Sequence, residues 1–221
     1  MFEKVNKIMS AEEAKAAVPM TSDLTAIKQK RDAELRAIID GTDKRKVIIM
    51  GPCSADNEDA VVDYVTRLAG LAEEVKEKFL LMPRIYTEKP RTKGEGYKGM
   101  FHSPNPHTGN TDIQNGICNL RHMHIRAIRE SGLTAADEML YPDNLDYVSD
   151  FLSYIAIGAR STENQQHRLV ASGIDVPVGV KNPMNGSFSV TLNSIYAAQI
   201  PNEFKYGGWQ VKTTGNKYAH A

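Results

Sequence analysis

At 221 residues the chain is long enough for one large domain with a full hydrophobic core. Its 27 basic and 27 acidic side chains cancel, which excludes a global field drawing it to nucleic acid or a membrane surface; any electrostatic function must be local. Two cysteines, Cys53 and Cys118, make no disulfide framework, no run of about 18 apolar residues could span a bilayer, and the charged start MFEKVNKIMSAEEAK lacks the apolar stretch of a secretion signal, so the expected address is cytoplasmic.

Residues 1–45 read as a polar helical arm rather than a core unit. Ser10 and Glu13 have capping-box spacing, which predicts a short helix stopping before Pro19. A second helix is predicted over 23–40, with Leu24, Ile27, Leu35, Ile38 and Ile39 near helical spacing and Gly41 closing it; the pattern weakens at Arg31 and Asp32.

From residue 46 strands and helices alternate. Val47–Met50 is a short apolar run bounded by Gly51-Pro52, as suits a strand buried on both faces. A helix capped by Asp56 or Asn57 follows, with Val61, Val62, Val65, Leu68, Leu71, Ala72, Val75 and Phe79 in one stripe. Strands are predicted at 79–86, 133–139, 154–159 and 176–180, and helices at 116–131, 144–152, 162–171 and 187–199. A long loop rich in Gly, Pro, His and Asn covers 89–115, and 207–220, containing Gly215-Asn216, reads as a hairpin-like excursion. This alternation implies parallel β/α units, with about five strands before residue 221, where a sixth would begin.

The polar residues that stand out follow the strands: Cys53, the cluster 84–92, Glu138, Arg160 and Lys181. That is the carboxyl end, where α/β proteins carry their sites. In MPRIYTEKPRTKG (82–94), Arg84 interrupts an apolar strand, where a charge is costly without a partner, and Pro90 stiffens the Lys89–Arg91 stretch. Cations gathered at one rim repel unless an anion neutralises them, which points to a polyanionic small molecule. On position alone Cys53 suits either an inert thiol or a nucleophile or metal ligand, whereas Cys118, on a helix, suits packing. His122 and His124, two apart on a helix, point to different faces and make a poor metal pair.

Taken together, GPCS (51–54), RIYTEKPRT (84–92), IGARSTENQxHR (157–168) and PVGVKN (177–182) resemble the type I 3-deoxy-D-arabino-heptulosonate 7-phosphate (DAHP) synthases. These join phosphoenolpyruvate to D-erythrose 4-phosphate, releasing phosphate, in the first step of the shikimate pathway. The resemblance implies a TIM (β/α)₈ barrel with an N-terminal helical extension. It implies phosphoenolpyruvate contacts from Arg84, Lys89, Arg160 and Lys181, with Gly158 and Ala159 letting a phosphate approach the backbone. Lys89, which it also makes the catalytic residue, would receive erythrose 4-phosphate with Pro90, Arg91 and Thr92, and Cys53 would ligate a divalent ion: Mn²⁺, Fe²⁺, Co²⁺ or Zn²⁺.

A closed barrel needs about 250 residues and eight strands. The expectation is therefore an incomplete barrel over 46–221, missing the family's further phosphate-binding arginine and its histidine, glutamate and aspartate metal ligands, and inactive alone. The resemblance also implies homo-oligomers, with residues 1–45 serving subunit contacts and regulation, and feedback by an aromatic amino acid near 140–145. Two other readings fit the same residues: a non-catalytic chain that binds ligand or joins a longer synthase, and a related phosphosugar synthase or aldolase barrel.

Overall fold

The computed structural model describes all residues, 1–221. Six parallel strands carry the fold. Lys46–Met50 (β1) pairs with Phe79–Pro83 (β2). Ala135–Glu138 (β3), Leu152–Ile157 (β4) and Val178–Val180 (β5) pair in order, and the last strand, at Ala219–His220, joins β5. The two sheets meet at a single bridge between Arg84 and Ala136, reinforced by Ile85 N–H donating to Ala136 O at 2.9 Å. An α/β fold with parallel sheets is what the alternation predicts, and the sixth strand begins where expected.

Helices fill the crossovers. Glu58–Val75 (α3, after the N-terminal helices Ala11–Ala17 and Ser22–Ile39) is capped by Asn57, whose side chain accepts from Ala60 N–H. Its buried stripe is Val61, Val62, Val65 and Leu68, continued by Ala72 and Val75 packed against the core; Leu71, expected in that stripe, turns out of it and is 43% exposed. Ile113–Ser131 (α4) ends at Gly132, which takes the left-handed conformation (φ 71°) that a C-terminal stop favours. Gln165–Ala171 (α5) and Phe188–Gln199 (α6) complete the set. Alternate residues of β2 face opposite ways: Leu81 joins the large core under the helices, while Leu80 and Met82 join Leu35 and Ala136 in a small inner cluster.

Three expectations need correction. The segment 144–152 is a 3₁₀ helix at Pro142–Tyr147, then a turn over 148–151 that leads into β4 at Leu152, with Phe151, Leu152 and Ser153 all buried. The hairpin is Glu203–Tyr206 (β6) against Trp209–Lys212 (β7), turning at Gly207-Gly208, both at positive φ. Gly215-Asn216 instead belongs to the return toward the sheet; a Cβ on Gly215 would sit 2.2 Å from Gln199 O.

The N-terminal residues are not set apart from the core. Ala11–Ala17 (α1) starts with the expected capping box, Ser10 accepting from Glu13 N–H and Glu13 from Ser10 N–H. Ser22–Ile39 (α2) runs through Arg31 and Asp32 without a break. It buries Leu24 and Leu35, and its Arg31 guanidinium donates to Leu81 O at 2.5 Å, in the gap between β2 and β3. The wholly buried Arg121 of α4 holds the same region, donating to Val18 O and Tyr147 O and forming two bonds to the Asp150 carboxylate at 2.7 and 2.8 Å.

Candidate active site

The carboxyl ends of β1 and β2 are bound to one another by cations. After β1, the carbonyls of Gly51, Pro52 and Cys53 point toward the loop that follows β2. Arg84 donates to Gly51 O at 2.8 Å and to Pro52 O at 3.3 Å; Lys89 Nζ donates to Cys53 O at 2.5 Å and lies 2.9 Å from Cys53 Sγ. The close approach needs Gly51, because a Cβ there would stand 2.4 Å from Arg84 O.

The Cys53 thiol is drawn below its ordinary range chiefly by the Lys89 hydrogen bond; burial, the next effect, opposes it, and the Lys89, Arg84 and Lys181 charges each add a smaller downward pull. Tyr86 lies between two cations: the Arg84 guanidinium is 5.2 Å and the Lys181 ammonium 5.3 Å from its ring centroid. Burial holds the Tyr86 phenol far above its usual range, so it stays neutral. Lys181, directly after β5, also reaches Glu138 at the end of β3, at 3.7 Å. Thr162 donates to Lys181 O at 2.7 Å and to Gly158 O at 3.3 Å, tying the loop after β4 to the end of β5. Gly158 faces Glu138, whose Oε1 would be 2.2 Å from any Cβ.

The model of the DAHP synthetase I family matches residues 16–220 of this sequence. The chain belongs to that family. Among its relatives, the Tyr-sensitive phospho-2-dehydro-3-deoxyheptonate aldolase of Salmonella typhimurium is 35% identical over 218 residues, 96% of this chain and 60% of the relative. The Phe-sensitive enzyme of Escherichia coli is 40% identical over 192 residues, 84% of this chain and 54% of that one. A solved phospho-2-dehydro-3-deoxyheptonate aldolase from Francisella tularensis superposes with a TM-score of 0.92 at 29% identity, covering this whole chain and 65% of the other. This DAHP synthetase I chain thus spans just over half to about two thirds of these three proteins.

Of the residues that the family motifs single out, Arg84 and Lys181 flank Tyr86, Lys89 bonds Cys53, and the charges of all three cations reach the Cys53 thiol. Gly158 and Ala159 lie in the loop tied to Lys181; Arg160, next in that loop, is exposed, and no contact links its side chain to the other cations. Pro90, Arg91 and Thr92 follow Lys89 in the long loop, where exposed Arg91 donates to Tyr97 O at 2.7 Å. Cys118 packs against the core, and His122 and His124 diverge as their spacing predicts, one exposed and one buried.

Tyr86, Thr87 and Glu88 lie within the RIYTEKPRT motif but have no role assigned by it, and Asp137 lies outside the motifs; the parts all four play emerge only from packing. Glu88 is buried with its carboxyl accepting from Asn144 Nδ2 at 2.7 Å. Burial pushes its pKa up to about 8, with Asp137 and Glu138 adding repulsion against the Asn144 bond. A carboxyl with a raised folded pKa favours folding below its unfolded value, and that advantage is lost as pH climbs to about 8. Glu88→Gln is therefore expected to leave stability at pH 5 almost unchanged and to raise it at pH 8.5, on the order of a few kcal/mol, in denaturant titrations. An equal difference at both pH values would contradict a neutral Glu88.

Proposed function

We propose that the chain carries the substrate-binding rim of a DAHP synthase, condensing phosphoenolpyruvate with D-erythrose 4-phosphate to give DAHP and phosphate. The single observation behind this reading is the convergence of Arg84, Lys89 and Lys181 on one rim beside Cys53. The order of six parallel strands, joined across the two sheets at the Arg84–Ala136 bridge and packing Leu80, Met82 and Ala136 against Leu35, supports a (β/α) barrel over 46–221.

In this reading Arg84, Lys89, Arg160 and Lys181 hold the phosphate and carboxylate of phosphoenolpyruvate, near the backbone of Gly158 and Ala159. Pro90, Arg91 and Thr92 hold the phosphate of the aldose with Lys89. The cations overcome the repulsion between two anions and fix C3 of phosphoenolpyruvate against the aldehyde carbon. The C–C bond forms there, and the Lys89 ammonium is a proton donor for the aldehyde oxygen. Water then adds at C2 and phosphate leaves. Cys53 fits one ligand position of a divalent ion, being exposed and biased toward thiolate; no group of three His, Cys, Asp or Glu side chains accompanies it. A bound ion would polarise the aldehyde oxygen as a Lewis acid.

Two regulatory features belong to the same reading. Relatives are named Tyr- or Phe-sensitive, and a cavity of about 740 Å³, lined by Leu145, Phe204, Tyr206, Asp150 and Arg36, has the size and mixed chemistry for an aromatic amino acid. The exposed Met1, Phe2 and Val5 suit residues 1–45 to subunit contacts in a homo-oligomer. No helix is long and apolar enough to cross a membrane.

Calorimetric titration of phosphoenolpyruvate into the 221-residue chain tests the central claim. Saturable binding at millimolar concentration or below, weakening as salt is raised, is expected; heat no greater than dilution would end the reading. Arg91→Ala in a DAHP-forming assembly should weaken erythrose 4-phosphate use while sparing phosphoenolpyruvate.

A further inference from the structure

Between β2 and β3 the backbone supplies one bridge and little else, yet the loop carrying Lys89 leaves from this junction. Buried side chains hold it instead. Thr87 donates its N–H to Asp137 Oδ1 at 3.1 Å and its hydroxyl to Asp137 Oδ2 at 2.5 Å, while Glu138 N–H donates to Oδ1 at 2.7 Å. On its other side the Thr87 carbonyl accepts from Phe101 N–H at 3.2 Å, and Gly99 lies so close that a Cβ would meet that oxygen at 2.3 Å. Thr87 and Asp137 are 2% and 4% exposed, so water cannot replace either partner. Behind them His124, stacked on Phe151 with centroids 4.6 Å apart, brings Nε2 only to 3.8 Å from Asp137 Oδ2.

We propose that Asp137 is a positioning residue that acts through Thr87, its buried carboxylate setting where Lys89 and Glu138 stand at the rim. Lys89 lies two residues beyond Thr87 and reaches Cys53; Glu138 follows Asp137 and faces Lys181. One carboxylate thus sets two cations that arrive from different strands. A carboxylate buried with three donors and no cation in hydrogen-bond reach loses much on any displacement, which makes the junction stiff. The proposal rests on the reading of Lys89 as a substrate contact.

The test compares Thr87→Val, which removes only the hydroxyl donor, with Thr87→Ser, which keeps it and loses a methyl group. Backbone hydrogen exchange over 84–92, the thermal midpoint and phosphoenolpyruvate affinity by calorimetry are read in parallel. Thr87→Val is expected to accelerate exchange across 84–92 and to weaken phosphoenolpyruvate about tenfold, whereas Thr87→Ser stays within about twofold of the parent in both. Asp137→Asn, which keeps one acceptor, should fall between Thr87→Val and the parent, and Asp137→Ala should be at least as impaired as Thr87→Val. Equal exchange and affinity in the Val and Ser variants, or changes that only follow the midpoint, overturn the proposal. If the parent bound no phosphoenolpyruvate, the substrate reading would fall, and exchange would by itself decide whether the Thr87–Asp137 contact holds the segment.

Discussion

Lys89→Met is expected to weaken phosphoenolpyruvate binding about 100-fold or more, with the fold intact. The substitution keeps the length of the side chain and removes one charge-assisted donor, an interaction that costs about 2–5 kcal/mol when truncated beside its partners. Lys89 is only half-buried and makes its side-chain bonds to the Cys53 carbonyl and thiol, so thermal unfolding should change little. A second signal should accompany the loss. The hydrogen bond from Lys89 is the largest cause of the lowered Cys53 pKa, so the pH profile of Cys53 alkylation should move to higher pH, with the smaller pull of Arg84 and Lys181 remaining. Unchanged affinity together with an unchanged alkylation profile would remove Lys89 from the site.

The second large effect is expected at Gly51→Ala. The added methyl would meet Arg84 O at 2.4 Å, Arg84 N at 3.0 Å and Arg84 C at 3.2 Å, and a backbone cannot rotate away as a flexible side chain can. The ends of β1 and β2 must then separate, at a cost on the order of 3 kcal/mol, carrying Arg84 off the carbonyls it now binds. Gly70→Ala is the control: it sits in the exposed face of α3 with nothing within 4 Å, and should stabilise by about 0.5–1 kcal/mol through helix propensity. Urea titration of the two variants distinguishes them. A Gly51→Ala protein as stable as its parent would mean that the ends of β1 and β2 do not approach this closely.

Much of the architecture was legible in local pattern. The apolar runs that became β1, β2 and β5, the Asn57 and Ser10 caps and the Gly132 stop are short-range features, decided by side chains a few positions apart. The misread elements depend on distant contacts. The stretch 144–152 reads as a helix from the sequence, but the buried Phe151 and Leu152 turn its second half into the entry to β4. Likewise, the turn at Gly207-Gly208 won over Gly215 because Gly215 is held against the end of α6. The second helix looked peripheral because its apolar pattern is weak; it is packed through Leu24 and Leu35 and through the hydrogen bond from Arg31, which hydrophobic spacing does not count.

The same division applies to the site. Sequence by itself determined the family, the cations that follow the strands and the thiol beside Gly51-Pro52, because these are residue types at fixed spacing on a repeating β/α chain. Only the tertiary structure decided that Arg84, Lys89 and Lys181 gather around Tyr86 and Cys53 while the Arg160 and Arg91 side chains stay exposed, and that Thr87 meets Asp137 fifty positions away. Such pairings are set by strand register and by burial, and both come into being only when the parallel strands, far apart in the chain, lie side by side.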